Sequence, residues 1–135
     1  MVEKSFDITV KFERSRAGVW YPIVKSIFRL PNGDKLRLPL LLDTGADTVV
    51  LHPYYESMFD NLEPETFKGL GEKSRDGKKT RGKIEVFGRE VECTIGFVEF
   101  ELLSYRLGFL GRECLTSFGI GFWESARELY VTLTP

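Results

Sequence analysis

The sequence predicts an all-β fold, a closed barrel or folded sheet with one long hairpin and one short helix late in the chain. Three observations predict it. Apolar and polar residues alternate in short runs, the period-two signature of strands with one face on a core. Turn-forming pieces rich in glycine, asparagine and aspartate separate those runs. Pro53 and Pro64 limit any helix in the middle of the chain.

Phe6 to Phe12 alternates, and the pattern resumes from Trp20 to Leu30 after an interruption at Arg14 to Gly18. Pro31-Asn32-Gly33-Asp34 is a turn, because asparagine and glycine tolerate the positive φ that tight hairpins demand. Leu36, Leu38, Leu40 and Leu42 then mark a returning arm with alternate side chains on a core, and this arm ends at Asp43. From Val49 a short strand gives way to irregular chain. Glu65 to Leu70 reads as extended and Arg81 to Phe87 alternates again. The polar stretch Glu72 to Lys79, with Asp76-Gly77 at its centre, therefore reads as the tip of a long hairpin. Phe87-Gly88-Arg89-Glu90 turns into a strand at Val91 to Phe97, and Glu99 to Tyr105 leads to another at Leu107 to Leu110. A short helix is expected from Glu113 to Phe118, with Ile120 to Trp123 and Leu129 to Leu133 as a closing strand pair.

The chain has 135 residues, the size of one domain with a real core, so 1–135 is read as a single domain with residues 1–18 as an N-terminal extension. Hydrophobic residues at 42% and charged residues at 29% are those of a globular chain, and a net charge of −1 gives no case for a nucleic-acid partner. No apolar run approaches the ~18 residues of a membrane span, and the first residues lack a secretory pattern, so a cytoplasmic location and no membrane partner are expected. Cys93 and Cys114 are too few for a disulfide framework and sit in apolar stretches, where a thiol acts as a small core hydrophobe. With His52 they form no metal cluster, and no cofactor is expected. The lysines and arginines from Lys73 to Lys83 lack the interleaved aromatic surface that single strands stack on.

A carboxylate directly after Leu41-Leu42 calls for a reason, since ionised carboxylates are rarely buried without compensation. Asp43 could cap the turn that Gly45 permits, by accepting hydrogen bonds from nearby amides. The run Leu41-Leu42-Asp43-Thr44-Gly45-Ala46-Asp47 also resembles the signature of the retroviral-type, or retropepsin-like, aspartic proteases. Phe109-Leu110-Gly111-Arg112 is similar to that family's second motif, and Phe67-Lys68-Gly69-Leu70-Gly71 and Gly82-Lys83-Ile84 resemble the two arms of its flap. Two motifs in order around a credible hairpin are specific where either alone is not.

The resemblance implies a retropepsin-like barrel with a flap hairpin and one short C-terminal helix, working as a homodimer on a polypeptide substrate. It assigns Asp43 as the catalytic carboxylate, with Thr44 and Gly45 supporting the loop. Peptide hydrolysis needs one group to take a proton from water and another to protonate the carbonyl or leaving amine, and two carboxyls sharing a proton do both. One chain holds one such aspartate, hence the dimer. The resemblance places Leu41, Gly45, Ala46, Asp47, Val50, Gly69, Leu70, Gly71, Leu107 and Phe109 against substrate and pairs Asp47 with Arg112. Periodicity alone would equally make Leu41, Val50, Leu107 and Phe109 ordinary core. The charged stretch around Lys73, Arg75, Asp76, Lys78 and Lys79 departs from the family's short apolar flap tip. Two other readings stay open: a noncatalytic peptide-binding or interaction module on the same barrel, and a structural β-barrel without a peptide site.

Overall fold

The computed structural model describes residues 7–68, 74–99 and 106–133. Among them the chain forms β1 (Ile8–Lys11), β2 (Glu13–Arg14), β3 (Trp20–Tyr21), β4 (Ile23–Arg29), β5 (Lys35–Leu42) and β6 (Val49–Leu51). It continues through β7 (Glu63–Lys68), β8 (Ser74–Val86), β9 (Arg89–Phe97), β10 (Gly108–Leu110), β11 (Phe118–Trp123) and β12 (Glu128–Leu133). Short 3-10 turns occupy Pro53–Met58, Arg112–Leu115 and Glu124–Ala126. The fold is all-β, as the alternation predicts. Among the described residues no helix is long and apolar enough to cross a membrane.

The larger sheet runs β4-β5-β10-β6-β9-β8-β7, with β4 also pairing to β8 and so closing the sheet on itself. The hairpin β4–β5 turns at Asn32-Gly33, with Gly33 at φ 91° and the Leu30 amide donating to the Asp34 carbonyl at 2.9 Å. Leu38, Leu40 and Leu42 are buried on one face of β5 while Lys35, Arg37 and Pro39 are exposed on the other. They meet Phe28, Val49, Leu51, Ile84, Ile95 and Leu110 in the main core. Strands β6 and β10 are buried at every position, which is why their sequences, Val-Val-Leu and Gly-Phe-Leu, carry no polar alternation. The tight turn at Phe87-Gly88 has positive φ at both residues, 53° and 75°, the twist that joins β8 to β9 without splaying them.

A second sheet, β1-β12-β11, is built from the two ends of the described chain. Thr9 faces Tyr130 and Val10 faces Leu129 across an antiparallel pair. The Leu133 amide donates to the Asp7 carboxylate at 2.7 Å, closing the pairing across the length of the domain. Residues 8–11 are thus held in the fold by strand pairing.

Two elements differ from expectation. Asp76-Gly77 is no turn: Asp76 pairs with Thr66 and Gly77 with Glu65 inside the β7–β8 ladder. Glycine is needed there because a Cβ on Gly77 would stand 2.2 Å from the Phe97 carbonyl oxygen, so the residue serves a close strand approach. The connection between Lys68 and Ser74, which includes Gly69, Leu70 and Gly71, lies outside the described residues. The helix expected from Glu113 to Phe118 is instead a 3-10 turn over Arg112–Leu115. Phe118 is drawn into β11 by pairing with Leu133 and by edge-on packing against Phe87, ring centroids 5.2 Å apart.

Candidate active site

The site begins with a parallel pair. β10 runs alongside β5 in the same direction, with Phe109 opposite Leu41 and Leu110 opposite Leu42. Parallel strands deliver their C-terminal ends to the same edge of a sheet, so the residues after Leu42 and those after Leu110 emerge side by side. The Asp43 amide extends the ladder by one bond, donating to the Leu110 carbonyl at 3.0 Å.

Past that bond the chain turns. Asp43 Oδ1 accepts the Gly45 amide at 2.9 Å, and the Asp43 carbonyl accepts the Ala46 amide at 3.1 Å. Asp43 therefore does cap its own turn, the bland role open to it from sequence, but with one oxygen only. Among the described residues no donor meets its other oxygen, Oδ2. Asp43 is half-buried, while Thr44 and Gly45 are exposed, so the loop presents its carboxylate and its next two residues outward.

The loop is tied down from the second motif. The Arg112 amide donates to the Ala46 carbonyl and the Glu113 amide to the Asp47 carbonyl, each at 2.9 Å. An Arg112 guanidinium nitrogen meets Asp47 Oδ1 at 2.9 Å, with both side chains mostly exposed at 64% and 82%. An ion pair so wet contributes about 0–1 kcal/mol by itself, so the backbone bonds carry the attachment. Gly111 makes them reachable: a Cβ there would lie 2.2 Å from the Thr48 carbonyl oxygen. The pairing of Asp47 with Arg112 expected from sequence is present in the geometry.

The tether continues into the barrel through residues that sequence reading missed. Glu113 accepts the Thr94 amide through Oε1 and an Arg81 guanidinium nitrogen at 3.1 Å through Oε2. Arg81 also donates to the Thr94 hydroxyl at 3.0 Å. Nothing in the spacing of Arg81, Thr94 and Glu113 marks them, since their meeting depends on the β8–β9 register. Beneath them the Cys93 thiol is pushed above its ordinary range, first by hydrogen bonding with Cys114, then by burial and by the charges of Cys114 and Glu113.

On the face of the sheet opposite the main core, Leu41, Phe109 and Val50 stand in a row across β5, β10 and β6, joined by the registers Phe109 to Leu41 and Phe109 to Val50. With Val98 and Phe67 they form an apolar cluster separate from the main core. Leu41, Val50 and Phe109, all assigned to substrate by the resemblance, are thus brought together, with Phe67 of β7 beside them. Leu107 is half-buried just before β10 and is not part of that cluster. Gly82, expected on a flap arm, sits lower in the body of β8 opposite Cys93, and the strand paired with β7 is Ser74–Lys79. Lys79 and Glu65 bridge that pair at 2.6 Å.

Residues 23–122 match the model of the family described as Retroviral aspartyl protease, a span that takes in the Asp43 loop, both strands of the β7–β8 pair and the Gly111-Arg112 turn. No curated protein sequence matches the chain.

Proposed function

The chain belongs to the retroviral aspartyl protease family, and we propose that it is a homodimeric aspartic endopeptidase in which the Asp43 carboxyls of two copies share one proton and activate water. The observation that supports this most is the parallel β5–β10 pair, which sets Asp43 at the rim of the sheet, braced from Gly111 to Glu113, with its exposed neighbours Thr44 and Gly45 turned outward.

A two-fold axis beside that loop brings a second Asp43 against the first, and two like charges at such range cannot both ionise easily. The ionised member takes a proton from water as the water oxygen bonds to the scissile carbonyl carbon. The protonated member gives its proton to the carbonyl oxygen. When the C–N bond breaks, the dyad's proton passes to the departing amine and a hydroxyl of the tetrahedral diol gives its proton back to the dyad, leaving a carboxylic acid product and the single shared proton restored. Thr44 braces the paired loops, and Gly45 lets the substrate backbone approach closely.

The substrate is an extended polypeptide. Leu41, Val50 and Phe109 offer an apolar wall for its side chains, and Ala46 and Asp47 line the neighbouring edge. Gly69, Leu70 and Gly71 contribute backbone contacts from the flap. Leu107 is assigned to the same wall on resemblance alone. The whole chain acts as one half-enzyme, with residues 1–18 as an extension of its compact part. The free thiols of Cys93 and Cys114 support a reducing, cytoplasmic setting.

Asp43→Asn tests the reading. Asparagine keeps the shape and the capping oxygen, so folding and assembly should persist while cleavage of a protein substrate falls by about 10²- to 10⁴-fold. A folded variant cleaving at the parental rate across acidic and neutral pH rules out Asp43 as the catalytic carboxylate. A parent that binds extended peptides and cleaves none favours the interaction-module reading.

A further inference from the structure

The chain has two cysteines, and the proposed mechanism uses neither. They come from different elements. Cys93 lies in β9 opposite Gly82 of β8, and Cys114 lies in the 3-10 turn Arg112–Leu115. The fold nevertheless brings their thiols into hydrogen-bond contact. Their neighbours set that meeting, since the Glu113 carboxylate accepts the Thr94 amide and so holds Glu113-Cys114 against Cys93-Thr94. Both thiols are free and packed in the main core, the two residues at 0% and 1% exposure. One buried cysteine is a small core hydrophobe. Two in contact are a covalent link in waiting, because folding has already brought together the ends that a disulfide must join.

We propose that Cys93 and Cys114 form an intrachain disulfide when their surroundings turn oxidising, and that this link clamps the brace of the Asp43 loop to the barrel. The oxidant is a small disulfide of the glutathione class. The thiolate of one cysteine attacks a sulfur of that disulfide, a protein–glutathione bond forms, and one glutathione thiol leaves. The second cysteine, as thiolate, attacks the protein sulfur and expels the second glutathione. Two cysteine protons end on two glutathione thiols, and the two electrons lost by the cysteines reduce one glutathione disulfide. Burial sets the tempo of this exchange. A closed thiol is a poor nucleophile, so the reaction waits on local opening and runs over hours, and the finished bond, sealed in the core, is equally slow to be reduced.

The link reaches the candidate active site through the two residues before Cys114. The Arg112 and Glu113 amides donate to the Ala46 and Asp47 carbonyls at 2.9 Å each. In the dithiol form Glu113 holds this brace to the barrel through its non-covalent contacts with Thr94 and Arg81. In the disulfide form β9 and the brace are bonded and cannot part. The bond itself is independent of the peptidase reading; only its effect on cleavage rests on that reading.

The test incubates the native parent for hours in glutathione buffer, either reduced or largely oxidised, and reads intact mass and linked peptides by mass spectrometry. The oxidised buffer should yield a chain lighter by two hydrogen atoms, with Cys93 joined to Cys114, and prolonged dithiothreitol should reverse it. The Arg112 and Glu113 amides should then exchange with solvent at least about tenfold more slowly, and the thermal midpoint should rise by about 5–10 °C. Cys114→Ala, which keeps the position apolar, should show neither change. Oxidised parent should also keep cleaving at urea concentrations that silence the reduced form. A chain that keeps both thiols, retains glutathione on a cysteine, or is linked to a second copy overturns the proposal. The expected link with unchanged exchange at Arg112 and Glu113 overturns the clamp. If link and slowed exchange appear while the parent cleaves nothing, the clamp stands and the peptidase reading falls.

Discussion

Replacing Gly111 by alanine adds one methyl group at the tightest backbone contact of the site. The new carbon would stand 2.2 Å from the carbonyl oxygen of Thr48, 2.6 Å from its nitrogen and 2.7 Å from its carbonyl carbon. Carbon and oxygen ordinarily approach to about 3.3 Å, so Thr48 and Gly111 must separate by roughly 1 Å. All three clashing atoms are backbone, and no side chain can rotate away. Gly111 has φ −91° and ψ 178°, a conformation alanine adopts freely, so the cost is steric. Overpacking of this kind costs about 1–3 kcal/mol, offset by about 0.4–1 kcal/mol from the stiffer unfolded chain. A net loss of about 1–2 kcal/mol in urea unfolding is expected. Activity should suffer more, because the displaced strand end carries the bonds from Arg112 and Glu113 to the Asp43 loop, and a 1 Å error in such a loop costs about 10²-fold. Gly121→Ala, which meets no neighbour, serves as the control. Stability and turnover of Gly111→Ala both matching that control would refute the wedge between Gly111 and Thr48.

Two further outcomes follow from the electrostatics. Hydrogen bonding and charge from Lys79, with the Thr66 amide, hold the Glu65 carboxyl below its usual range. Its contribution is present at neutral pH and fades as pH falls through the lowered folded value. Glu65→Gln should therefore remove part of the acid-induced loss of amide protection in β7 and β8, and an unchanged acid profile by hydrogen exchange would exclude the pair as its cause. The raised Cys93 thiol should make the native protein slow to react with iodoacetamide at neutral pH, both cysteines labelling only on denaturation; rapid native labelling of Cys93 by mass spectrometry would contradict its burial.

The strands were legible because their period is local. Leu36 to Leu42 announces a half-buried arm, and Asn32-Gly33 and Gly88 announce their hairpins through the φ values they permit. Asp43, Asp47, Gly111 and Arg112 were legible through two motifs in order, and the parallel β5–β10 pair is what joins them. Other features depend on partners distant in sequence. Gly77 looks like a turn residue until Phe97 is seen against it, and Phe118 looks like the end of a helix until Leu133 pairs with it. The Arg81–Glu113–Thr94 tether and the β1–β12 pair have no local pattern at all. Apolar residues at the site were the intermediate case: alternation sets Leu41 opposite Leu40 and Leu42, but only the registers with Phe109 and Val50 separate that cluster from the core.

The central claim, that hydrolysis requires an Asp43 from each of two copies, is tested most directly by mixing. Parent and Asp43→Asn chains are combined at constant total concentration, allowed to exchange subunits, and assayed on one protein substrate. If both carboxyls are needed, only parent–parent dimers work, and an equal mixture retains about a quarter of parental activity, following the square of the parent fraction. Activity that falls in simple proportion, to about a half at the equal mixture, would mean that each Asp43 acts alone and would contradict the shared dyad.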